Sequence, residues 1–462
     1  MCGIAGIVDI NKKEIETETV IRMIGAIKHR GPDDDGIFIE NGGWHNDRSE
    51  NRNLTSDTYN IGLGHKRLSI IDLSKAGKQP MSNEDGSIWL VCNGEIYNYK
   101  ELRKNLKEKG HRLMSETDSE VIIHSYEEYG DEFINYLQGM FAFGLWDSKK
   151  NRLIVARDHL GIKPLYYYFK NGKFLFASEI KSILAVSDVK REIDFSALNL
   201  FLSFLYIPAP KTIFNDIYKV MPGHIVKLEN GQISEKEFWD LNFTRDSEDV
   251  NSFRSNKTAY NTSEDFYTDT IYKLLENSVK EQMMSDVPLG AFLSGGFDSS
   301  AIVGIMSKFS TIPVKTFSIG FGRDERFYDE LKFARVVADK FHTDHREFVV
   351  KSDIVDLLPT VVNHFDEPFA NPTAVLMYLL SEETKKHVSV ALSGTGGDEA
   401  FSGYTRYAGM KISEYAQMVP FSFRKVIGSF ADKIPESSNG KHIGRRLRNF
   451  INGTLLSPED RY

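Results

Sequence analysis

A chain of 462 residues, 41% hydrophobic and 26% charged, has the composition of an ordinary globular protein and the length for two or three domains with full cores. A net charge of −8 without any basic run argues against nucleic acid as the main partner. Two cysteines, Cys2 and Cys92, exclude a disulfide framework and suit a reducing compartment. No apolar run reaches membrane-spanning length and Met1–Ala5 lacks the basic region of a signal peptide, so a cytoplasmic protein with no membrane contact is expected.

Ile4 to Ile10 reads as a strand directly behind Cys2. A small residue at the second position lets an aminopeptidase remove Met1, which leaves a cysteine with a thiol and a free α-amine. Such a pair can act alone, the amine as base and the thiolate as nucleophile. An incidental small residue in a strand is the competing reading at this point. Val20, Met23, Ile24 and Ile27 fall at helical spacing, and Arg30-Gly31-Pro32-Asp33 stops that helix. Residues 41–60 are polar and read as a surface insertion. Ile61 to Ile71 ends as a strand, and Ile88 to Val91 is another, opening into Cys92-Asn93-Gly94-Glu95-Ile96-Tyr97-Asn98. Thr117-Asp118-Ser119-Glu120 fits a capping box, with Thr117 as N-cap, Glu120 reaching back and a helix to about Tyr129.

From Asn151 to Ile183 the pattern is all-β with Gly and Asn turns, and the first domain closes near residue 220. Phe195 to Pro210 is apolar and expected to pack between domains. Residues 221–263 are read as a connector: a β segment to about Trp239, then a polar linker. A helix from about Glu264 to Met284 leads into Val287–Ile302. There an apolar strand end, Ala291-Phe292-Leu293, is followed by Ser294-Gly295-Gly296-Phe297-Asp298-Ser299-Ser300 and a buried helix. Two glycines between strand and helix let backbone N–H groups approach an anion, helped by the helix N-terminus. A plain turn would need neither Asp298 nor three hydroxyls, whereas a metal ion bridging phosphates would need the Asp. Val314–Ile319, Asp329–Lys340, His345–Val350, Ile354–His364 and Val388–Leu392 then alternate as in a mostly parallel sheet, with ligand at the C-terminal strand ends.

Ser294–Ser299 resembles the pyrophosphate loop of enzymes that adenylate a carboxylate. The first half resembles the glutaminase domain of class II glutamine amidotransferases, which are N-terminal-nucleophile enzymes. Arg30–Asp33, Asn93–Asn98, Gly139-Met140-Phe141-Ala142-Phe143 and Arg157–Tyr166 stand in that family's order. End to end, the chain resembles glutamine-hydrolysing asparagine synthetases of the asparagine synthetase B type. The resemblance implies an α+β N-terminal-nucleophile fold in αββα layers over residues 2–220. It implies an α/β, mostly parallel, adenine-nucleotide-binding synthetase domain over residues 264–462.

The same resemblance assigns roles. Cys2 attacks the glutamine side-chain amide, and Asn93 with the Gly94 N–H forms the oxyanion hole. Arg67 holds the α-carboxylate, while Asp118 and Glu95 hold the α-ammonium and amide ends. Leu293, Ile319, Ser393 and Gly394 contact adenine and ribose, and Ser294, Gly295, Gly296, Asp298, Ser299 and Ser300 hold the pyrophosphate. Asp298 and Asp398 hold Mg²⁺. His65, His124 and His159 are structural, and Cys92 is a small buried residue.

Two departures stand out. Thr395, in the acceptor region, occupies a position where the family often has an acid, and a hydroxyl cannot take a proton near neutral pH. The chain also ends at Tyr462 without the further helical region usual in the family, so the synthetase domain is expected to be truncated. The sequence is therefore expected to encode an enzyme that uses ATP, Mg²⁺, L-glutamine and L-aspartate, channels ammonia and forms asparagine, AMP and pyrophosphate. Alternatives are amidation of another carboxylate, such as a uronic acid or peptide side chain, and a non-catalytic glutamine and nucleotide binding module. Oligomeric state stays open, a homodimer being one option.

Overall fold

The computed structural model describes residues 1–40, 59–242, 264–320, 330–350, 354–431 and 443–457. Residues 41–58 of the expected insertion, most of the polar linker and the last five residues therefore lie outside the described residues. The chain divides into two compact units, Met1–Pro288 with Ser352–Val390, and Leu289–Lys351 with Ala391–Tyr462.

In the first unit, two six-stranded antiparallel sheets form. One runs, edge to edge, Ile217–Lys219, Tyr166–Lys170, Lys173–Ala177, Gly3–Asp9, Asn60–Arg67 and Asp34–Glu40. The other runs Gln232–Glu237, His224–Glu229, Arg152–Arg157, Gly139–Asp147, Ile88–Ile96 and Met81–Ser82. The pleat sorts side chains by parity. Ile4, Val8, Ile61, Leu63 and Val91 join Trp146, Val155 and Val226 in one core between the sheets. Ala5 and Ile7 face the other way and pack against Val20, Met23 and Ile24 of helix Thr17–Ala26. Leu90, Cys92 and Ile96 likewise face helices Tyr99–Glu108 and Glu120–Tyr129, meeting Leu102, Leu106, Val121 and Tyr126. The result is the expected αββα stack.

Three local expectations are corrected. The strand expected at the end of Ile61–Ile71 occupies its beginning, Asn60–Arg67, where seven residues pair with Gly3–Asp9. The capping box does not form: the helix starts at Glu120, Ser119 precedes it, and neither Ser119 nor Thr117 caps it. Glu120 does reach back, but to the Met114 and Ser115 N–H groups at 2.5 and 2.8 Å. The β segment assigned to a connector is instead a hairpin, His224–Glu229 with Gln232–Glu237, that extends the second sheet through Arg152–Arg157. Helix Phe195–Phe204 exposes Phe195, Leu202 and Phe204 and buries Ala197 with Ile207 and Ile213.

In the second unit, Leu289–Phe292, Lys315–Gly320 and Asp344–Val349 are parallel neighbours, and Val390–Leu392 flanks Leu289–Phe292 on the other side. Helices Phe297–Phe309 and Leu331–Phe341 follow the first and second of these strands.

Between the antiparallel sheets, the Phe176 ring fills a slot made by two missing side chains. A Cβ on Gly6 would lie 2.1 Å from the ring, and one on Gly144, from the opposite sheet, 2.2 Å. Gly144→Ala should therefore overpack the core and cost about 1–3 kcal/mol, read as a lower denaturation midpoint in urea. An unchanged midpoint would show that the slot is wider than described.

Candidate active sites

Parity and register assemble the first site. Gly3 pairs with Lys66, so continuing that register sets Cys2 opposite Arg67. Cys2 shares the inner face with Ile4, Arg67 with Ile61 and Leu63, and Asn93 with Val91. All three project into one end of the inter-sheet space. There Cys2, Arg67, Asn93, Gly94, Glu95 and Asp118 line a single pocket with Met1, Leu68, Ile70, Ile71, Gly77, Gln79, Cys92, Thr117, Ser119 and Lys163.

The Cys2 thiol lies 3.4 Å from the Leu68 N–H and 3.6 Å from the Leu68 carbonyl. Burial pushes this thiol above its ordinary range, with the Leu68 N–H opposing, so at rest it is protonated and requires a base. Its main chain is pinned from behind: Arg30 Nε donates to the Cys2 carbonyl at 2.9 Å and Arg30 Nη1 to Glu179 at 2.8 Å. Burial alone would raise Glu179, but His29, Arg30 and Lys181 outweigh it and bring the carboxyl down to about 2. Gly31 lets this turn close on the neighbouring strand, since a Cβ there would fall 2.3 Å from the Lys66 backbone.

Asn93 is 1% exposed, and among the described residues neither its amide nitrogen nor its oxygen has a partner. A buried primary amide without partners in a pocket beside a thiol is the donor an oxyanion needs. Its strand is fixed just before it. The Cys92 N–H donates to Gln79 Oε1 at 2.6 Å, and His65 Nε2 lies 3.0 Å from the Cys92 carbonyl. Burial brings His65 down to about 4, so it is neutral and serves as a strut, not a base. His159 packs edge-on against Phe141, Phe238 and Trp239. His124 lies between Glu127 at 2.9 Å and Glu120 at 3.8 Å.

Arg67 is 6% exposed, and its Nη1 and Nη2 donate to the Ser74 and Asp72 carbonyls. That leaves N–H groups of its planar fork for a carboxylate. Gly77 makes room for the head, because a Cβ there would lie 2.3 Å from Nη2. Asp118 accepts the Ile96 N–H at 2.7 Å, and burial pushes its carboxyl up to about 7, with the Glu95 charge adding to the rise. Burial raises Glu95 as well, opposed by Lys163.

The second site lies at the C-terminal strand ends of the parallel sheet. Ser294 Oγ and Ser299 Oγ are 3.0 Å apart, and the Gly296 N–H donates to Ser294 Oγ at 3.2 Å. Gly295 has φ +82°, and a Cβ there would meet the backbone of Phe333–Ala334 at 2.5 Å. Ser300 Oγ donates back to the Gly296 carbonyl at 2.6 Å. Helix Phe297–Phe309 thus opens with its first N–H groups over a glycine-rich turn. Leu293 and Ile319 sit at the ends of neighbouring strands, Leu293 nearly fully buried. The Gly394 position abuts Ser299 and Asp298, and a Cβ on Gly397 would lie 2.4 Å from the Asp298 carboxyl carbon. Burial raises Asp298, and the charges of Asp398 and Glu399 raise it further. Carboxylates brought together against their own repulsion fit a divalent cation, so Asp298 and Asp398 suit Mg²⁺. Thr395 is exposed, its Oγ1 2.7 Å from Ser393 Oγ.

Residues 1–239 match the family described as glutamine amidotransferase domain, and residues 270–456 match the one described as asparagine synthase. A putative glutamine-hydrolysing asparagine synthetase 2 of Methanocaldococcus jannaschii is 37% identical, over 100% of this chain and 86% of its own length. The chain belongs to the glutamine-hydrolysing asparagine synthetases. Asparagine synthetases 1 and 3 of Bacillus subtilis, also described as glutamine-hydrolysing, are 37% and 32% identical over 96% and 87% of this chain. The chain spans just under two thirds of those two synthetases, 66% and 63%.

Sequence reasoning assigned no role to Leu68, Gln79 or Lys163, all of which line the pocket that holds Cys2. Lys163 had a visible signal, since it lies inside the quoted run Arg157–Tyr166. Asp158 accepts the Ile162 and Lys163 N–H groups, each at 2.9 Å, and so sets that loop. Leu68 acts through its backbone N–H and carbonyl, and Gln79 through a side-chain bond to the Cys92 N–H thirteen residues on, so neither leaves a local residue-type signature.

The raised Asp118 carboxyl has a stability consequence. Its folded pKa, about 7, lies above the ordinary 3.8, so the folded state holds a proton that the unfolded chain releases. This contribution is fully present below about pH 4 and is lost as the pH rises through about 7. The melting temperature of Asp118→Asn minus that of the unaltered protein should therefore increase from pH 4.5 to pH 8. A difference that stays flat would mean the carboxyl is not raised.

Proposed function

We propose that the chain is a glutamine-dependent asparagine-forming enzyme with two chemically separate centres. The observation that carries the glutaminase half is the buried, unpartnered Asn93 amide in the pocket that holds the Cys2 thiol and Arg67. Removal of Met1 would free the Cys2 α-amine, which takes the thiol proton as sulfur attacks the glutamine amide carbon. The oxyanion is met by Asn93 Nδ2 and the Gly94 N–H, and the amine returns its proton to the departing ammonia. Water then cleaves the thioester to glutamate. Arg67 holds the α-carboxylate, while Asp118, with Glu95, holds the ammonium and amide ends.

In the second centre, Ser294, Gly295, Gly296, Ser299 and Ser300 hold the β- and γ-phosphates of ATP and leave the α-phosphorus open. The aspartate side-chain carboxylate attacks there, pyrophosphate leaves, and ammonia displaces AMP to give asparagine. Mg²⁺, held by Asp298 and Asp398, would supply charge neutralisation on the phosphate oxygens. Leu293, Ile319, Ser393 and Gly394 bound the nucleotide. Thr395 brings no carboxylate, so deprotonation of the attacking nitrogen does not rest on it. The charge and absence of a long apolar helix among the described residues suit a cytoplasmic enzyme, and a homodimer is compatible with it.

A pair of variants tests the reading. Cys2→Ala should abolish glutamine hydrolysis while sparing asparagine formation from added ammonia. Asp298→Asn should abolish Mg²⁺-dependent, aspartate-dependent pyrophosphate release while leaving glutamine hydrolysis within about threefold, since it is not a group in that reaction. Loss of both activities in either folded variant would contradict two separate centres.

A further inference from the structure

Four hydrogen bonds converge on Asp72. Its carbonyl accepts from Arg67 Nη2, and its Oδ2 accepts the Glu116 N–H at 2.9 Å. Its Oδ1 accepts the Ser74 N–H at 3.0 Å, and its own N–H donates to Asp286 Oδ2 at 2.9 Å. The backbone here is left-handed, φ +53°, a conformation that Asp and Asn tolerate better than most residues. Burial alone would raise this carboxyl, but the Ser74 and Glu116 hydrogen bonds and nearby Arg67 outweigh it and hold it ionised.

These bonds tie together segments that are far apart in sequence. Ser74, ordered by the Asp72 side chain, gives its carbonyl to Arg67 Nη1 at 2.9 Å, so both outer nitrogens of Arg67 rest on the Asp72–Ser74 turn. Glu116, gripped by the same side chain, stands two residues before Asp118. Asp286 braces the turn from outside, its own N–H donating to the Ile70 carbonyl at 2.9 Å. The α-carboxylate and α-ammonium of glutamine sit on one carbon, so groups that hold both must keep a fixed separation. Arg67 ends a strand and Asp118 lies in an irregular run before a helix, and the Asp72 carboxylate and carbonyl join the two.

We propose that Asp72 is a positioning residue that sets the spacing between Arg67 and Asp118, and so makes the pocket selective for an amide bearing both α-groups. This rests on the reading of Arg67 and Asp118 as the glutamine clamps.

The test is steady-state hydrolysis by enzyme freed of Met1, with glutamine and with its desamino analogue 4-carbamoylbutanoate. Asp72→Ala should raise KM for glutamine by ~10–100-fold with kcat within about threefold. On the analogue, which uses only the Arg67 clamp, the loss of kcat/KM should be at most about threefold. Asp72→Asn, which keeps an Oδ acceptor and the left-handed backbone, should recover most of the glutamine affinity. Equal losses on both substrates, or an unchanged KM, would overturn the proposal and leave Asp72 a structural residue. Asp118→Asn separates this failure from failure of the underlying reading: it must weaken glutamine selectively, and if it does not, the clamp assignment itself is wrong. Should Asp72→Ala not fold, Asp286→Ala carries the test. It should give the same selective rise in KM, and no change would overturn the proposal.

Discussion

Strand Gly3–Asp9 is hydrogen-bonded on both sides, and both of its faces are spoken for. Ile4 and Val8 enter the inter-sheet core, while Ala5 and Ile7 pack beneath helix Thr17–Ala26. A slip of one residue would exchange these faces and carry Cys2 from the pocket to the helix layer. Because both layers are apolar, the register that places Cys2 is held by fit: the slip would also pull Gly6 from beneath Phe176, where a Cβ would lie 2.1 Å from the ring. Arg67 inherits its place from the same pairing, and Asn93 from the matching parity of the opposite sheet.

Around this frame, charge is arranged at some cost to the fold. Asp118 is buried and raised to about 7. In the second unit, Asp298 is raised by burial and by Asp398 and Glu399. Neither arrangement stabilises the protein by itself, and each is relieved by a positively charged ligand. Glu179 is the contrast. Three cationic or imidazole partners hold it ionised, and its work is to keep Arg30 on the Cys2 carbonyl.

Local chemistry made much of this legible in the sequence. The Ser-Gly-Gly-Phe-Asp-Ser-Ser turn and the strand–helix alternation after it were readable within a few residues, whereas Cys2 behind Met1 took its expected role only from the motifs that follow it. What could not be read depends on partners distant in the chain. Asp72 looks like any turn aspartate until Arg67, Glu116 and Asp286 surround it. Glu120 had the spacing of a capping box, but the Met114 and Ser115 N–H groups of the preceding loop captured its carboxylate. The hairpin His224–Glu237 follows a Met-Pro-Gly turn that reads as a boundary, and only its pairing with Arg152–Arg157 makes it part of the sheet. Propensity and pattern see neighbours, whereas register and tertiary hydrogen bonds decided these elements.

The most direct test of the account is covalent labelling with an electrophilic glutamine analogue that carries a diazoketone in place of the amide, followed by peptide mass spectrometry. With Met1 removed, the account predicts one equivalent of label on the Cys2 sulfur and none on Cys92, with protection by glutamine. Label on Cys92, or no protected label at Cys2, would contradict the placement of the nucleophile between the sheets.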